Sequence, residues 1–306
     1  MTVRNILVGT LGVALLSLFA WVAVPAAPLA KEPQLHGQGR LWQVTRNGAE
    51  PSHVFGTMHA SDPDIVDLPA PIRRAIVTSE RIVLEVVFGQ EMKGRMALSM
   101  LLTDGRLLEQ IIGDRLFAAV GEAGLRYGMP SVQLNRLKPW AVMLVFAVPP
   151  REILRQAEGA PVLDEILQNY AQDNGLPVFG LEDPGEQIGV FAGMSERDQI
   201  KLLATSVQLN RSIDKVFAKM KNAYLKGDLD QLHAMASDLS AGDDKRLNDL
   251  YLKRLLDDRN RNMADRLVPH LDRGRTFVAV GALHLAGKRG LLHLLEKKGY
   301  TVKRVM

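Results

Sequence analysis

Two histidines in this chain each stand three residues after a glycine that closes an apolar run. The first is His59, in His53-Val54-Phe55-Gly56-Thr57-Met58-His59. The second is His284, in Phe277-Val278-Ala279-Val280-Gly281-Ala282-Leu283-His284-Leu285. Between them, Glu85 interrupts the apolar stretch Arg81-Ile82-Val83-Leu84-Glu85-Val86-Val87. Neutral imidazole together with carboxylate is a ligand set for a divalent metal such as zinc, manganese or iron. Such an ion turns bound water into a nucleophile at neutral pH or polarises a carbonyl. One histidine in this setting reads equally well as a hydrogen-bonded structural residue, whereas two in matching settings favour a site. A glutamate among Ile, Val and Leu is costly to bury without a partner. Glu85 therefore either faces a site or pairs with an arginine such as Arg259.

Other residues carry weaker signals. Glu182 ends the short run Pro177-Val178-Phe179-Gly180-Leu181-Glu182, but the turn sequence Asp183-Pro184-Gly185-Glu186 beside it reads as well as a solvated face. Arg259-Asn260 lies in a charge-rich helical stretch and alone would be solvated. His36, His53, His233, His270 and His293 lack the strand–glycine setting and read as structural or surface residues.

Several chemistries are excluded. The chain has no cysteine, so disulfides, thiolate metal sites and a cysteine nucleophile are out. It has no H-E-x-x-H, no P-loop and no dinucleotide-binding glycine fingerprint. It also lacks the G-x-S-x-G of a serine hydrolase. A two-carboxylate glycosidase built on Glu85 and Glu182 stays open but leaves the histidines idle. The net charge of +4 is scattered with no basic block, which argues against nucleic acid as a partner. It is compatible with weak attraction to anionic lipid or cell-wall polymers.

The elements that must position these residues follow from periodicity. Leu41 to Thr45 alternates as a strand, Asn47-Gly48 is a hairpin turn signal, and residues 53–56 return as the partner strand that delivers His59. Residues 81–87 and 277–281 read as buried strands, and 177–182 and 301–305 as shorter ones. Helical patterns cover 72–78, 90–102, 106–121, 137–147, 162–174, 198–225, 245–271 and 290–298. Pro149-Pro150 stops one helix, and Gly175 and Gly227 end others. Strands alternating with helices give an α/β class, with a helix-rich α+β arrangement as the variant. No Gly/Ser/Pro-rich linker divides residues 31–306, so one domain is expected, and 47% hydrophobic residues suffice for its core. Residues 1–30 carry Arg4 near their start, run apolar, and end in small residues around Ala26 and Ala30. That is a secretory signal peptide or an uncleaved membrane anchor. Either places the remainder outside the cytoplasm, in the periplasm or anchored facing it.

Taken in order, Leu41-Trp42, Val54-Phe55-Gly56-Thr57-Met58-His59, Arg81-Ile82-Val83-Leu84-Glu85, Lys138-Pro139-Trp140, Gly180-Leu181-Glu182 with Gln187, Arg259-Asn260, Val280-Gly281-Ala282-Leu283-His284-Leu285 and Gly299-Tyr300-Thr301-Val302 form a pattern. It resembles the TraB/GumN family, relatives of the TIKI metalloproteases and, more distantly, of the erythromycin esterase/ChaN-like group. The resemblance covers residues 40 to 305. It implies an erythromycin esterase/ChaN-like fold in which the two G-x-x-H segments meet at one site. It implies His59, His284 and Glu85 as metal ligands, with Arg259 and Asn260 as polar support or oxyanion contacts. From the TIKI branch it implies a manganese- or cobalt-dependent protease of the membrane surface, with zinc as a further option. Many relatives carry an acid two residues after the strand glutamate; here that position is Val87, which argues against a binuclear site.

Three functions are thereby in competition. The first is a metal-dependent hydrolase cutting peptide bonds outside the cytoplasm, with Glu85 as ligand or proton acceptor. The second is a non-catalytic protein that binds a peptide or small ligand. The third is a haem or metal carrier.

Overall fold

A computed structural model describes residues 33–46, 48–239 and 244–306, without the side chains of 238 and 239. The signal or anchor expected over 1–30 and Asn47 of the expected turn lie outside the described residues. Among the described residues no helix is long and apolar enough to cross a membrane.

The apolar runs form a six-stranded mixed sheet in the order β4-β3-β5-β2-β1-β6. The strands are β1 Leu41–Thr45, β2 Ser52–Thr57, β3 Arg81–Leu84, β4 Val178–Gly180, β5 Thr276–Gly281 and β6 Thr301–Arg304. β1 pairs antiparallel with β2, Leu41 opposite Phe55, and antiparallel with β6. The other pairings, β2 with β5, β5 with β3 and β3 with β4, are parallel. Strands covered on both faces read as continuous apolar runs. Phe277, Val278, Ala279 and Val280 of central β5 accordingly have no exposed surface. The class is a helix-rich α/β fold, as the alternation of strands and helices implies.

Helix boundaries depart from the sequence reading in four places. Residues 106–121 form two helices, Leu108–Ile112 and Asp114–Leu125, because Gly113 takes φ +78° between them. Pro149-Pro150 ends Pro139–Phe146 as expected, but Pro150 also opens Pro150–Ala157, where a proline at the first helical position costs no hydrogen bond. The 198–225 run divides into Glu196–Asn210 and Ile213–Lys226 without glycine or proline. The 245–271 run holds a π-helical turn, Lys253–Asp257, between Lys245–Leu252 and Asp258–Leu271. Widened turns of this kind recur at functional sites, and this one ends two residues before Arg259.

Every residue of Pro139–Phe146 is buried. It packs against Glu196–Asn210, where Ser206 Oγ donates to Met143 O at 3.1 Å.

Candidate functional site

Adjacent parallel strands end along one edge of a sheet, and in open α/β sheets that edge is where ligands bind. Here each of the four parallel strands is followed by a chemically able side chain. Glu182 comes two residues after β4, Glu85 directly after β3, and His59 two residues after β2. His284 closes the short 3₁₀ turn Ala282–His284 that follows β5. The register places Thr57 opposite Gly281, so the two G-x-x-H segments leave the sheet side by side. Gly56 allows this approach. A Cβ there would lie 2.7 Å from Leu285 Cδ1 and 3.1 Å from Ala282 Cα.

Each histidine is held by its Nδ1. His59 Nδ1–H donates to Asp164 Oδ2 at 2.6 Å, and Thr57 Oγ1 donates to the other oxygen at 3.0 Å. Asp164 lies in the first turn of Leu163–Asp173, whose Leu163 N–H donates to Ala60 O at 3.2 Å. Past His59 the chain is pinned again, because Ser61 gives both its N–H and its hydroxyl to buried Glu152. His284 Nδ1–H donates to Asn260 Oδ1 at 2.6 Å. Asn260 Nδ2 donates to Arg289 O at 2.9 Å, which fixes the orientation of the amide. Both rings therefore leave Nε2 for the site. A hydrogen-bond acceptor on the other nitrogen is the usual arrangement of metal-binding histidines.

Glu85 does both things its setting allowed. Its Oε2 accepts from Arg259 Nη2 at 2.7 Å, and its Oε1 accepts from Gly281 N–H at 2.5 Å. Its Oε1 also lies 3.6 Å from His284 Nε2. Arg259 spans both glutamates, giving Nε to Glu182 Oε1 at 2.8 Å and Nη2 to Glu182 Oε2 at 2.6 Å. Gln187 Nε2 adds a 3.0 Å bond to Glu182. All of these side chains are buried.

Charge follows from this geometry. Burial opposes ionisation of Glu85, but the His284 ring, the Arg259 guanidinium, the His59 ring and the Gly281 N–H outweigh it and bring its pKa down to about 2. Burial pushes His284 down to about 3; Glu85 pulls upward while Arg259 and His59 push further down. As a coupled pair, Glu85 keeps its negative charge and His284 stays neutral. Burial also works against a charged His59, yet Asp164 and then Glu85 win, and its pKa lies above the ordinary histidine value. Arg259 is raised as well, since the two glutamates outweigh the cost of burying it.

His59, Glu85, Gly281 and His284 line one chamber of about 30 Å³, with Met58, Tyr224 and Leu232 among its other walls. That is room for a water molecule or an ion. A Cβ on Gly281 would sit 3.1 Å from Glu85 Oε1, 3.5 Å from His284 Cδ2 and 3.7 Å from His59 Nε2. The three groups thus converge above a glycine whose missing side chain leaves the space open. The donor chemistry suits a divalent cation: two imidazoles, one carboxylate, and three acids (Asp164, Glu85, Glu182) against one guanidinium. Two ligands bound at ~2.1 Å in tetrahedral geometry stand roughly 3.4 Å apart, close to the His284–Glu85 spacing. Among the described residues no group of three donors is drawn together to ligand distance.

The strand-end residues His59, Glu85 and His284 are brought together. Arg259 and Asn260, expected as polar support or oxyanion contacts, sit behind the chamber and do not line it: Arg259 holds the glutamates and Asn260 holds His284. Glu182 is buried against Arg259 rather than solvated. His233, read as structural, lines a larger cavity next door. Asp164 gave no signal beyond being an acid at the start of a helix. Val87 is partly exposed and outside the chamber.

Residues 40–304 match the TraB/PrgY/gumN family. A metalloprotease TIKI homolog from Amphimedon queenslandica is 24% identical over 315 aligned positions, covering 87% of this chain. The chain spans 61% of that relative's length. No solved structure matches the chain. The match extends from the residue before β1 to the last residue of β6 and takes in every side chain of the chamber, so this chain belongs to the TraB/PrgY/gumN family.

Proposed function

We propose that the chain is a metal-dependent hydrolase acting on peptide bonds outside the cytoplasm. The observation that carries this reading is the pair of imidazoles, each fixed through Nδ1 and each presenting Nε2 to the chamber that Glu85 also lines. Kinship with a protein named as a TIKI metalloprotease homolog supports it. His59, His284 and Glu85 would hold the metal, with manganese or cobalt favoured and zinc a further option. A divalent ion there supplies Lewis-acid polarisation of a carbonyl and a lowered pKa for the attacking water.

The chain's own groups divide the remaining work. Glu85, fixed as an anion, is a poor proton acceptor near neutral pH and serves as ligand and electrostatic anchor. His284, neutral, presents a lone pair. His59 has a raised pKa because Asp164 and Glu85 outweigh burial, so protons compete with a metal for its Nε2. Arg259 keeps Glu85 ionised and aimed. The rings share space for an ion but not for a macrocycle, which favours hydrolysis over a haem-carrier role.

The test is metal content and peptide-library cleavage by purified protein beside His59→Ala and His284→Ala. Loss of both bound metal and cleavage in each variant is expected. Metal content unchanged in both variants sinks the metal centre, and metal-independent cleavage that survives both substitutions sinks the hydrolase. Binding of peptides without turnover would make the protein a binding module instead.

A further inference from the structure

We infer that the larger cavity beside the chamber binds a substrate segment in which an aliphatic side chain lies next to an anionic group. The inference takes its chemistry from the hydrolase reading, but the binding it describes stands separately.

The cavity measures about 490 Å³, within the range of sites that hold small ligands or a few side chains. Leu283 lines both it and the chamber, so the two are neighbours across one residue. Leu252 and Leu256, the latter within the π turn, join Leu283 as its apolar wall. That surface suits an aliphatic side chain.

The polar side is asymmetric. Lys288 and Arg289 contribute two cations, while Asp257 is the only carboxylate among the described lining residues. Asp257 Oδ2 lies 2.8 Å from Arg289 Nη1, and the Arg289 side chain is 78% exposed. Lys288 is exposed as well. Among the described residues one positive charge is left over at the lip, and an incoming carboxylate is its natural complement. His233 faces the same cavity from Leu229–Leu239.

The cavity is also wired to the site. Asn260 lines it, donates to Arg289 O, and accepts from His284 Nδ1. A ligand bearing on residues 287–290 therefore acts on the anchor of His284. Occupancy of the cavity and orientation of the ring are linked through a single amide.

The test compares two acetylated, amidated hexapeptides that differ at one position, Leu-flanked Glu against Leu-flanked Lys. Binding is measured by calorimetry on the His59→Ala protein, and cleavage by mass spectrometry on the metal-loaded wild type. The Glu peptide is expected to bind about fivefold more tightly, the scale of one exposed ion pair. Lys288→Glu is expected to reverse that order, and Arg289→Gln to reduce the preference. Both substitutions fall on exposed side chains, so melting temperatures check that the fold is intact. Equal binding of the two peptides, or a preference untouched by Lys288→Glu, overturns the inference whether or not peptides are cut. Charge-sensitive binding with no cleavage upholds it and removes the hydrolase reading. Cleavage without charge preference does the reverse.

Discussion

Asp164 Oδ2 lies 2.6 Å from His59 Nδ1 across 105 positions of sequence. Thr57, two residues before the histidine, holds the second Asp164 oxygen at 3.0 Å. The carboxylate can only accept, so the proton on Nδ1 is fixed and Nε2 faces the chamber. The same contact raises the His59 pKa against the effect of burial.

Asp164→Asn therefore lowers the His59 pKa in metal-free protein, which NMR titration of the ring reads directly. The stability consequence has a definite sign. A raised folded pKa contributes stability that is fully present below the unfolded value of about 6.5 and is lost as pH rises through the folded value. The destabilisation caused by Asp164→Asn is thus larger at pH 5.5 than at pH 9 in urea melts. Metal affinity falls by about 10- to 100-fold, as when other hydrogen-bond acceptors behind metal-bound histidines are removed. A His59 pKa unmoved by the substitution would show that Asp164 only packs against the ring.

Arg259 is buried between two glutamates, and its removal strands both. Breaking a buried pair by deleting one partner costs about 3–5 kcal/mol, so Arg259→Leu should lose that much in denaturant unfolding at pH 7. Arg259→Lys recovers only part of it, because one ammonium cannot reproduce the Nε and Nη2 bonds to Glu182 together with the Nη2 bond to Glu85. The Glu85 pKa is depressed, so its contribution is present above the unfolded value of about 4.3 and disappears as pH falls toward the folded value. Wild type therefore loses stability on acidification toward pH 2, and Glu85→Gln flattens that slope. A parallel slope in Glu85→Gln assigns the acid transition to other groups.

What could be read from residues alone depended on range. β1, β2, β3 and β5 announce themselves as short apolar runs, and the glycines before His59 and His284 mark sharp exits from the sheet. That local grammar places the histidines and Glu85 at strand ends. It carries no information about Asp164, which lies on a helix distant in sequence and reaches His59 only through tertiary packing. Glu182 was equivocal for the same reason: Asp183-Pro184-Gly185-Glu186 reads as a turn but is the capped start of the helix Pro184–Ala192, and the arginine that buries Glu182 is 77 residues away. The π turn at Lys253–Asp257 leaves apolar spacing close to helical, so a periodicity reading passes through it unnoticed. The break at Arg211 and Ser212 carries no glycine or proline to reveal it.

Gly281→Ala separates the chamber from the fold. The Gly281 backbone, at φ −52° and ψ 135°, is open to any residue, so the substitution carries no conformational penalty. Its Cβ would still stand 3.1 Å from Glu85 Oε1, tighter than normal contact, and would occupy the point on which the three site groups converge. We expect a stability change within about 1 kcal/mol and a loss of cleavage on the order of tenfold or more, the scale of sub-ångström misplacement in an active site. Gly56→Ala is the counterpart. Its Cβ meets Leu285 and the Ala282 backbone instead, so it should lower the melting temperature first. Equal effects of the two variants on stability and cleavage would argue that the chamber is ordinary packing.

Asn260→Asp tests the other imidazole. His284 is neutral because burial dominates and its Nδ1 partner carries no charge. Replacing the amide with a carboxylate recreates at His284 the environment that Asp164 makes for His59, and its pKa must rise. Ligand binding needs the unprotonated ring. In wild type the loss of bound metal on acidification then follows protonation of His59, since His284 resists protonation down to about pH 3. In Asn260→Asp both rings compete for protons, so the midpoint of metal loss moves to higher pH and the curve steepens. The substitution also takes a donor from Arg289 O. Asn260→Ala, which loses that bond and adds no charge, controls for it and leaves the shape of the curve as in wild type. Dialysis against graded pH followed by metal analysis reads both quantities. If Asn260→Asp and Asn260→Ala lose metal along the same curve, Asn260 holds the 287–290 loop and has no part in setting the charge of His284.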